Sequence, residues 1–303
     1  MGRQPHPREP VTRLVRFEAG DGVELAGLLY EPRRATTRAA VFLHGTGGSS
    51  IFDSKRTNIL GKLFTDEGIA YFPFNNRGAH LLRRLRRRDR RSADGGMAYE
   101  LIRDAAFDID GALRELRRRG YRDVTLIGHS TGANKIAVYD HYKPRNTVRR
   151  YVLLAGGDDT GMIYDQLGPR RFAAALAKGR ARRRSEDFVP RSLSPMLMSW
   201  RSWYDMANPD GDYNVFPFLE ALRGVRLSRR PRFRYVKAIR KPALILYGEN
   251  DEYCYDDVPA CVAALAAALG PKPNVELAIV RDADHGFGGK ERELVETIVN
   301  WIG

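Results

Sequence analysis

Five short apolar runs constrain this chain more than any other feature: "AAVFL" at 39–43, "IAYFPF" at 69–74, "VTLIG" at 124–128, "YVLLAG" at 151–156 and "ALILYG" at 243–248. Each is too short for a buried helix and is bounded by turn residues. An unbroken apolar run, as opposed to an alternating one, suits a strand buried on both faces of a mostly parallel sheet. Helical spacing separates the runs. "TNILGKLFTDEG" puts Ile59, Leu60, Leu63 and Phe64 on one face, with Gly68 suited to the C-terminal cap. Residues 98–119 carry a stripe of Leu101, Ala105, Ile109, Leu113 and Leu116, and Gly120 stops it. Further helices are expected over 132–142, 257–269 and 290–302, with a last strand at "NVELAIV". Upstream, "VTRLVRFEA" and "VELAGLLYEP" flank Gly20-Asp21-Gly22 and predict an antiparallel entry hairpin. Strand and helix in alternation predict an α/β, doubly wound sheet.

Residues 158–236 break that rhythm. They hold "RRFAAALAKGRARRR", several aromatics and many prolines without a clear buried strand. The expected organisation is a core of 12–157 and 237–303, interrupted by a mostly helical insertion at 158–236. A chain of 303 residues is long enough for one such domain.

The formal net charge is +14, and arginine outnumbers lysine 42 to 9. The arginines are spread over the whole chain, and no nucleic-acid-binding motif accompanies them, so composition and not a nucleic-acid partner is the expected cause. The densest run, "LLRRLRRRDRRS" at 81–92, reads as a solvated loop; beside a strand end it would attract anions. No apolar run spans a bilayer, and "MGRQPHPREPVTRLVRF" has no apolar signal core, so the expectation is a cytoplasmic protein without a membrane partner. Cys254 and Cys261 are too few for a disulfide framework and lack a metal-binding spacing; free thiols and no metal are expected.

"LIGHSTGAN" contains Gly128-His129-Ser130-Thr131-Gly132, a G-x-S-x-G pattern between a strand and a helix. That context presents a serine on a sharp turn. A serine needs a base. Of six histidines, His285 in "RDADHGFGG" follows the last strand and precedes the last helix, which sets it on the same sheet edge as Ser130. An acid must orient it. Asp251 in "GENDEY" gives the order Ser130, Asp251, His285; Glu249, Glu252, Asp256 and Asp257 compete, and Asp158 and Asp159 offer a second location. "HGTGG" at 44–48 supplies glycines that let amides turn toward a carbonyl. The expected oxyanion donors are the backbone N–H groups of Thr46 and Thr131, with Gly47 as competitor for the first. The loop lacks the Lys-Ser/Thr ending of a phosphate-binding loop.

With "HGTGG", "GHSTG", "GENDEY" and "DADHGF" in this order, the chain resembles the α/β-hydrolase superfamily over roughly 12–302. The resemblance implies an eight-stranded sheet with its second strand antiparallel, a cap between strands six and seven, and acyl transfer to water without a cofactor. "GHSTG", "NNRG" and "SWRSWYDMANPDGDYNVF" are also similar to a branch that contains fungal siderophore esterases. The expected activity is serine-dependent cleavage of a small-molecule carboxylic ester. Thioester or amide hydrolysis, acyl transfer, and ligand binding without catalysis remain the alternatives. Trp200, Trp203, Tyr204, Tyr213, Phe216 and Phe218 are expected either to wall the substrate pocket or to form the core of the insertion.

Overall fold

The computed structural model describes residues 11–47, 49–52, 55–89 and 91–303. Its main sheet has eight strands. In chain order the elements are β1 (Val11–Glu18), β2 (Glu24–Glu31), β3 (Arg38–Leu43), α1 (Lys55–Asp66), β4 (Ala70–Asn75), a small hairpin of β5 (Arg83–Arg86) and β6 (Ser92–Gly95), α2 (Ala105–Arg118), β7 (Asp123–His129), α3 (Thr131–Tyr142) and β8 (Arg150–Leu154). Then come α4 (Asp159–Ala181), α5 (Trp200–Ala207), α6 (Phe218–Leu222) and α7 (Arg234–Ala238), followed by β9 (Ala243–Gly248), α8 (Val258–Leu269), β10 (Val275–Val280) and α9 (Glu291–Ile302). Across the sheet the strands run β1-β2-β4-β3-β7-β8-β9-β10. β2 is antiparallel to both neighbours, and from β4 to β10 every pairing is parallel. The carboxyl ends of β3, β7, β9 and β10 therefore share one edge.

The unbroken apolar runs are explained by two cores. Along β3, Ala39, Val41 and Leu43 enter the core on the side of α2, α3 and α8, while Ala40 and Phe42 enter the one beneath α1 and α9. A strand with only one hydrophobic face could not serve both.

Two local expectations need correction. The helix over 98–119 begins at Ala105; two 3-10 turns, Met97–Tyr99 and Ile102–Asp104, precede it. Long-range polar contacts divert this stretch: Asp205 accepts from Ile102 N at 2.9 Å, and Glu100 turns inward to Lys135. The arginine-rich run forms the β5–β6 hairpin instead of a plain loop. Leu85 is buried beneath it, while Arg84 and Arg86 stay exposed. The two cysteines are free and buried.

Candidate active site

Ser130 sits between β7 and α3 with φ 57° and ψ −133°. Such a conformation in a residue with a Cβ costs on the order of 1–3 kcal/mol, and the surroundings must impose it. They do so through contacts that only glycine permits. A Cβ on Gly128 would stand 2.3 Å from the Gly132 carbonyl oxygen, and one on Gly132 would stand 2.3 Å from that of Leu43. Ser130 N donates to Leu154 O at 2.9 Å, and Ser130 O accepts from Ala133 N at 2.8 Å. Ser130 itself is partly exposed.

Asp251 follows β9 and His285 follows β10. His285 Nδ1 lies 2.9 Å from Asp251 Oδ1, and the carboxylate is buried at 2 % exposure. Tyr253 N donates to the same oxygen at 3.0 Å. Because the carboxylate accepts the Nδ1 proton, Nε2 of His285 is left as the proton acceptor. The Tyr253 ring packs on the imidazole, with centroids 4.5 Å apart.

The competing carboxylates have other partners. Glu249 accepts from Asp282 N, Glu252 from His285 N and Asp257 from Ala260 N, the last as the cap of α8. Asp256 lies with Glu252 and Tyr253 at the margin of a separate surface groove. Asp158 accepts from Gly161 N, Leu219 N and the Tyr255 hydroxyl, which ties α4 to α6 and to the loop after β9; burial pushes its pKa up to about 6. Asp159 accepts from Thr131 Oγ1 at 3.2 Å and Asn134 Nδ2 at 3.0 Å, and burial pushes it up to about 7.

The loop after β3 presses against the nucleophile. A Cβ on Gly45 would lie 2.8 Å from Ser130 Cβ and 3.2 Å from Oγ. Thr46 follows immediately, and Gly47 turns the chain with φ +84°. Thr131 opens α3, so its amide is among those that a helix leaves unsatisfied. The "NNRG" segment fixes this loop. Asn75 accepts from Ile51 N at 2.9 Å and donates to Ser50 Oγ at 3.1 Å, while Asn76 donates to His44 O at 3.3 Å. Gly48 lies outside the described residues.

Two residues not singled out from the sequence hold the base loop. His129 Nε2 donates to His285 O at 2.7 Å, and His129 Nδ1 accepts from Arg56 Nη2 at 3.4 Å. Arg56 Nη1 donates to Gly286 O. This pairing fixes a neutral His129, and burial followed by the Arg56 charge lowers its pKa well below the ordinary value. His129 occupies the variable position of the elbow, and Arg56 is one arginine among 42, so neither carries a distinctive sequence signal.

Trp200, Trp203, Tyr213, Phe216 and Phe218 are at most 1 % exposed, and Tyr204 is partly buried against them. They form a core between α4–α7 and the sheet. Trp200 and Trp203 meet edge to face at 5.9 Å, and Phe216 lies where a Cβ on Gly156 would stand 2.2 Å from its ring. None lines the cavity of about 340 Å³ beside the elbow. That cavity is bounded by Phe42, Leu60, His44, Arg56, Tyr71 and His129, among others.

Residues 40–297 match the family model described as the alpha/beta hydrolase family. The chain belongs to that family. Solved structures similar in fold include an esterase of Pyrococcus furiosus, 17% identical with a TM-score of 0.60 over 97% of this chain and 91% of that one. GrgF, an alpha/beta hydrolase of a Penicillium species, is 15% identical with a TM-score of 0.60 over 96% and 97%. Est1E of Butyrivibrio proteoclasticus, solved with ferulic acid bound, is 14% identical with a TM-score of 0.57 over 95% and 98%. No curated protein sequence matches the chain significantly. Among the described residues no helix is long and apolar enough to cross a membrane.

Proposed function

We propose that the protein is a serine esterase acting on a small-molecule carboxylic ester. The observation that carries this reading is the Asp251–His285 hydrogen bond on the same sheet edge as the strained turn of Ser130. His285 Nε2 takes the Ser130 proton as Oγ attacks the ester carbonyl. The amides of Thr46 and Thr131 receive the oxyanion, each contributing about 3 kcal/mol to the transition state. His285 then passes the proton to the departing alcohol. Water, deprotonated by the same nitrogen, attacks the acyl-enzyme, and the acid leaves. Asp251 stays ionised and holds the imidazole in its working tautomer. Side chains and amides handle every proton and charge in this sequence, so it calls for no metal or organic cofactor. Nucleic acid and membrane have no part in it, and we assign it to the cytoplasm.

A fluorophosphonate probe tests the reading. Wild type is expected to be labelled on the peptide carrying Ser130, and Ser130→Ala to remain unlabelled while folding normally. Folded wild type that resists the probe and cleaves no activated ester would overturn it in favour of ligand binding without catalysis. The first substrate panel includes siderophore-type esters beside simple acyl esters, thioesters and anilides.

A further inference from the structure

The cavity of about 340 Å³ beneath the oxyanion loop is a built polar site. Arg56 lines it, and its two hydrogen-bond acceptors, the Gly286 carbonyl and His129 Nδ1, are both neutral. Asp284 and Glu291 act on it only through space, and no carboxylate pairs with it among the described residues. A part-buried guanidinium normally finds an anion, because the attraction offsets the loss of its water shell. One further group on the cavity wall awaits an acceptor: Tyr71 is fully buried, and its hydroxyl has no hydrogen bond among the described residues. His44 donates through Nδ1 to the Gly45 carbonyl at 2.8 Å, so its Nε2 offers only a lone pair. Phe42, Ile51 and Leu60 give the wall an apolar stretch, and Ser49, Ser50 and Thr57 line it beside them.

We propose that this cavity binds a carboxylate at the far end of the substrate's acyl chain, which makes the preferred substrate a half-ester of a short dicarboxylic acid. The inference rests on the serine esterase reading. Its walls decide which half of the ester enters. Neither Ser130 nor His285 lines the cavity; Gly45, which presses against Ser130, and Gly47 do, so the half of the ester on the oxyanion-loop side, and not the alcohol against His285, reaches it. Phe42, Ile51 and Leu60 then cover the methylene groups, and Arg56 and the Tyr71 hydroxyl donate to the terminal carboxylate. Hydrolysis consumes one water and releases the alcohol and the free dicarboxylate.

The test compares mono-p-nitrophenyl glutarate with p-nitrophenyl pentanoate, which has the same chain length and leaving group but lacks the carboxylate. Wild type is expected to favour the glutarate in kcat/KM by about tenfold or more, the size of a charge-assisted hydrogen bond. Arg56→Met should abolish that ratio and Tyr71→Phe should lower it several-fold. A purely structural role for Arg56 would depress both substrates equally, and an unchanged ratio in both variants overturns the proposal. So does a wild type that prefers pentanoate. If Arg56→Met does not fold, Tyr71→Phe decides alone. Failure of fluorophosphonate labelling together with inertness toward both esters would instead remove the esterase reading beneath it.

Discussion

Arg56, on α1, and Arg77, bonded to α2, belong to opposite faces of the main sheet and keep unlike company. Arg77, at the end of β4, donates to Asp108 through Nε and Nη2 and to both oxygens of Asp21, with Asp104 at 3.5 Å. The Asp108 side chain is fully buried, and nearby Lys135 and Glu100 form a second closed pair at 2.6 Å, both almost wholly buried. Arg77 and Lys135 are thus each matched by carboxylates of the chain itself. On the other flank Arg56, among the described residues, hydrogen-bonds a carbonyl and an imidazole and no carboxylate, beside a cavity. A charge whose partners come from the chain stabilises the fold. One left beside a cavity without them invites a ligand. Residue type alone does not distinguish the two.

The difference can be attacked from both sides. The largest effect belongs to the working flank. Asp251→Asn should lower kcat by about 10⁴-fold through the wrong imidazole tautomer, with little change in unfolding midpoint. A loss below tenfold, measured with an activated ester, would place the orienting acid elsewhere. On the closed flank Asp108→Ala should cost about 3–5 kcal/mol in denaturant unfolding, because it strands a buried guanidinium, while kcat per folded molecule stays within a few-fold. A stable Asp108→Ala protein with poor kcat would reverse the assignment of the two flanks. His129→Ala removes the donor to His285 O and should cost up to about 10²-fold in kcat from misplacement of the base, with less effect on KM; unchanged kcat would leave Arg56 as sufficient.

The smallest effect concerns Asp159. Its folded pKa is about 7, above the ordinary carboxylate value of 3.8. The folded state therefore binds the extra proton, and this contribution to stability is full below pH 3.8 and disappears as pH rises toward 7. Asp159→Asn should flatten the decline in unfolding free energy across that window. A slope identical to wild type would mean that the carboxylate titrates normally.

The alternation of apolar runs and helical stripes makes the sheet legible, because burial on both faces leaves an unbroken pattern in each strand. Ser130, Asp251 and His285 are legible as candidates because each lies just past a strand end. The start of α2 is not: Leu101 continues the stripe, but Asp205, a hundred residues away, takes the amide of Ile102. The hairpin at 83–95 is hidden because a single buried Leu85 marks its inner face among arginines. The aromatics between 200 and 218 leave both roles open in sequence, since a tryptophan serves a core or a pocket equally well; burial at 0 % and 1 % decides for Trp203 and Trp200. Arg56 and His129 become visible only when α1, β7 and the loop after β10 meet.

A Cβ on Gly128 or Gly132 would meet backbone at 2.3 Å, and one on Gly45 would meet Ser130 Cβ at 2.8 Å, distances no Cβ tolerates. Even alanine, the smallest exchange, is therefore barred at all three positions. A complete library of single substitutions selected for turnover should show three empty columns there, while the neighbouring Thr131 and His129 columns keep some survivors. The lineage of such a chain can change what it hydrolyses by altering the walls of its cavities, but it cannot move its nucleophile by small steps.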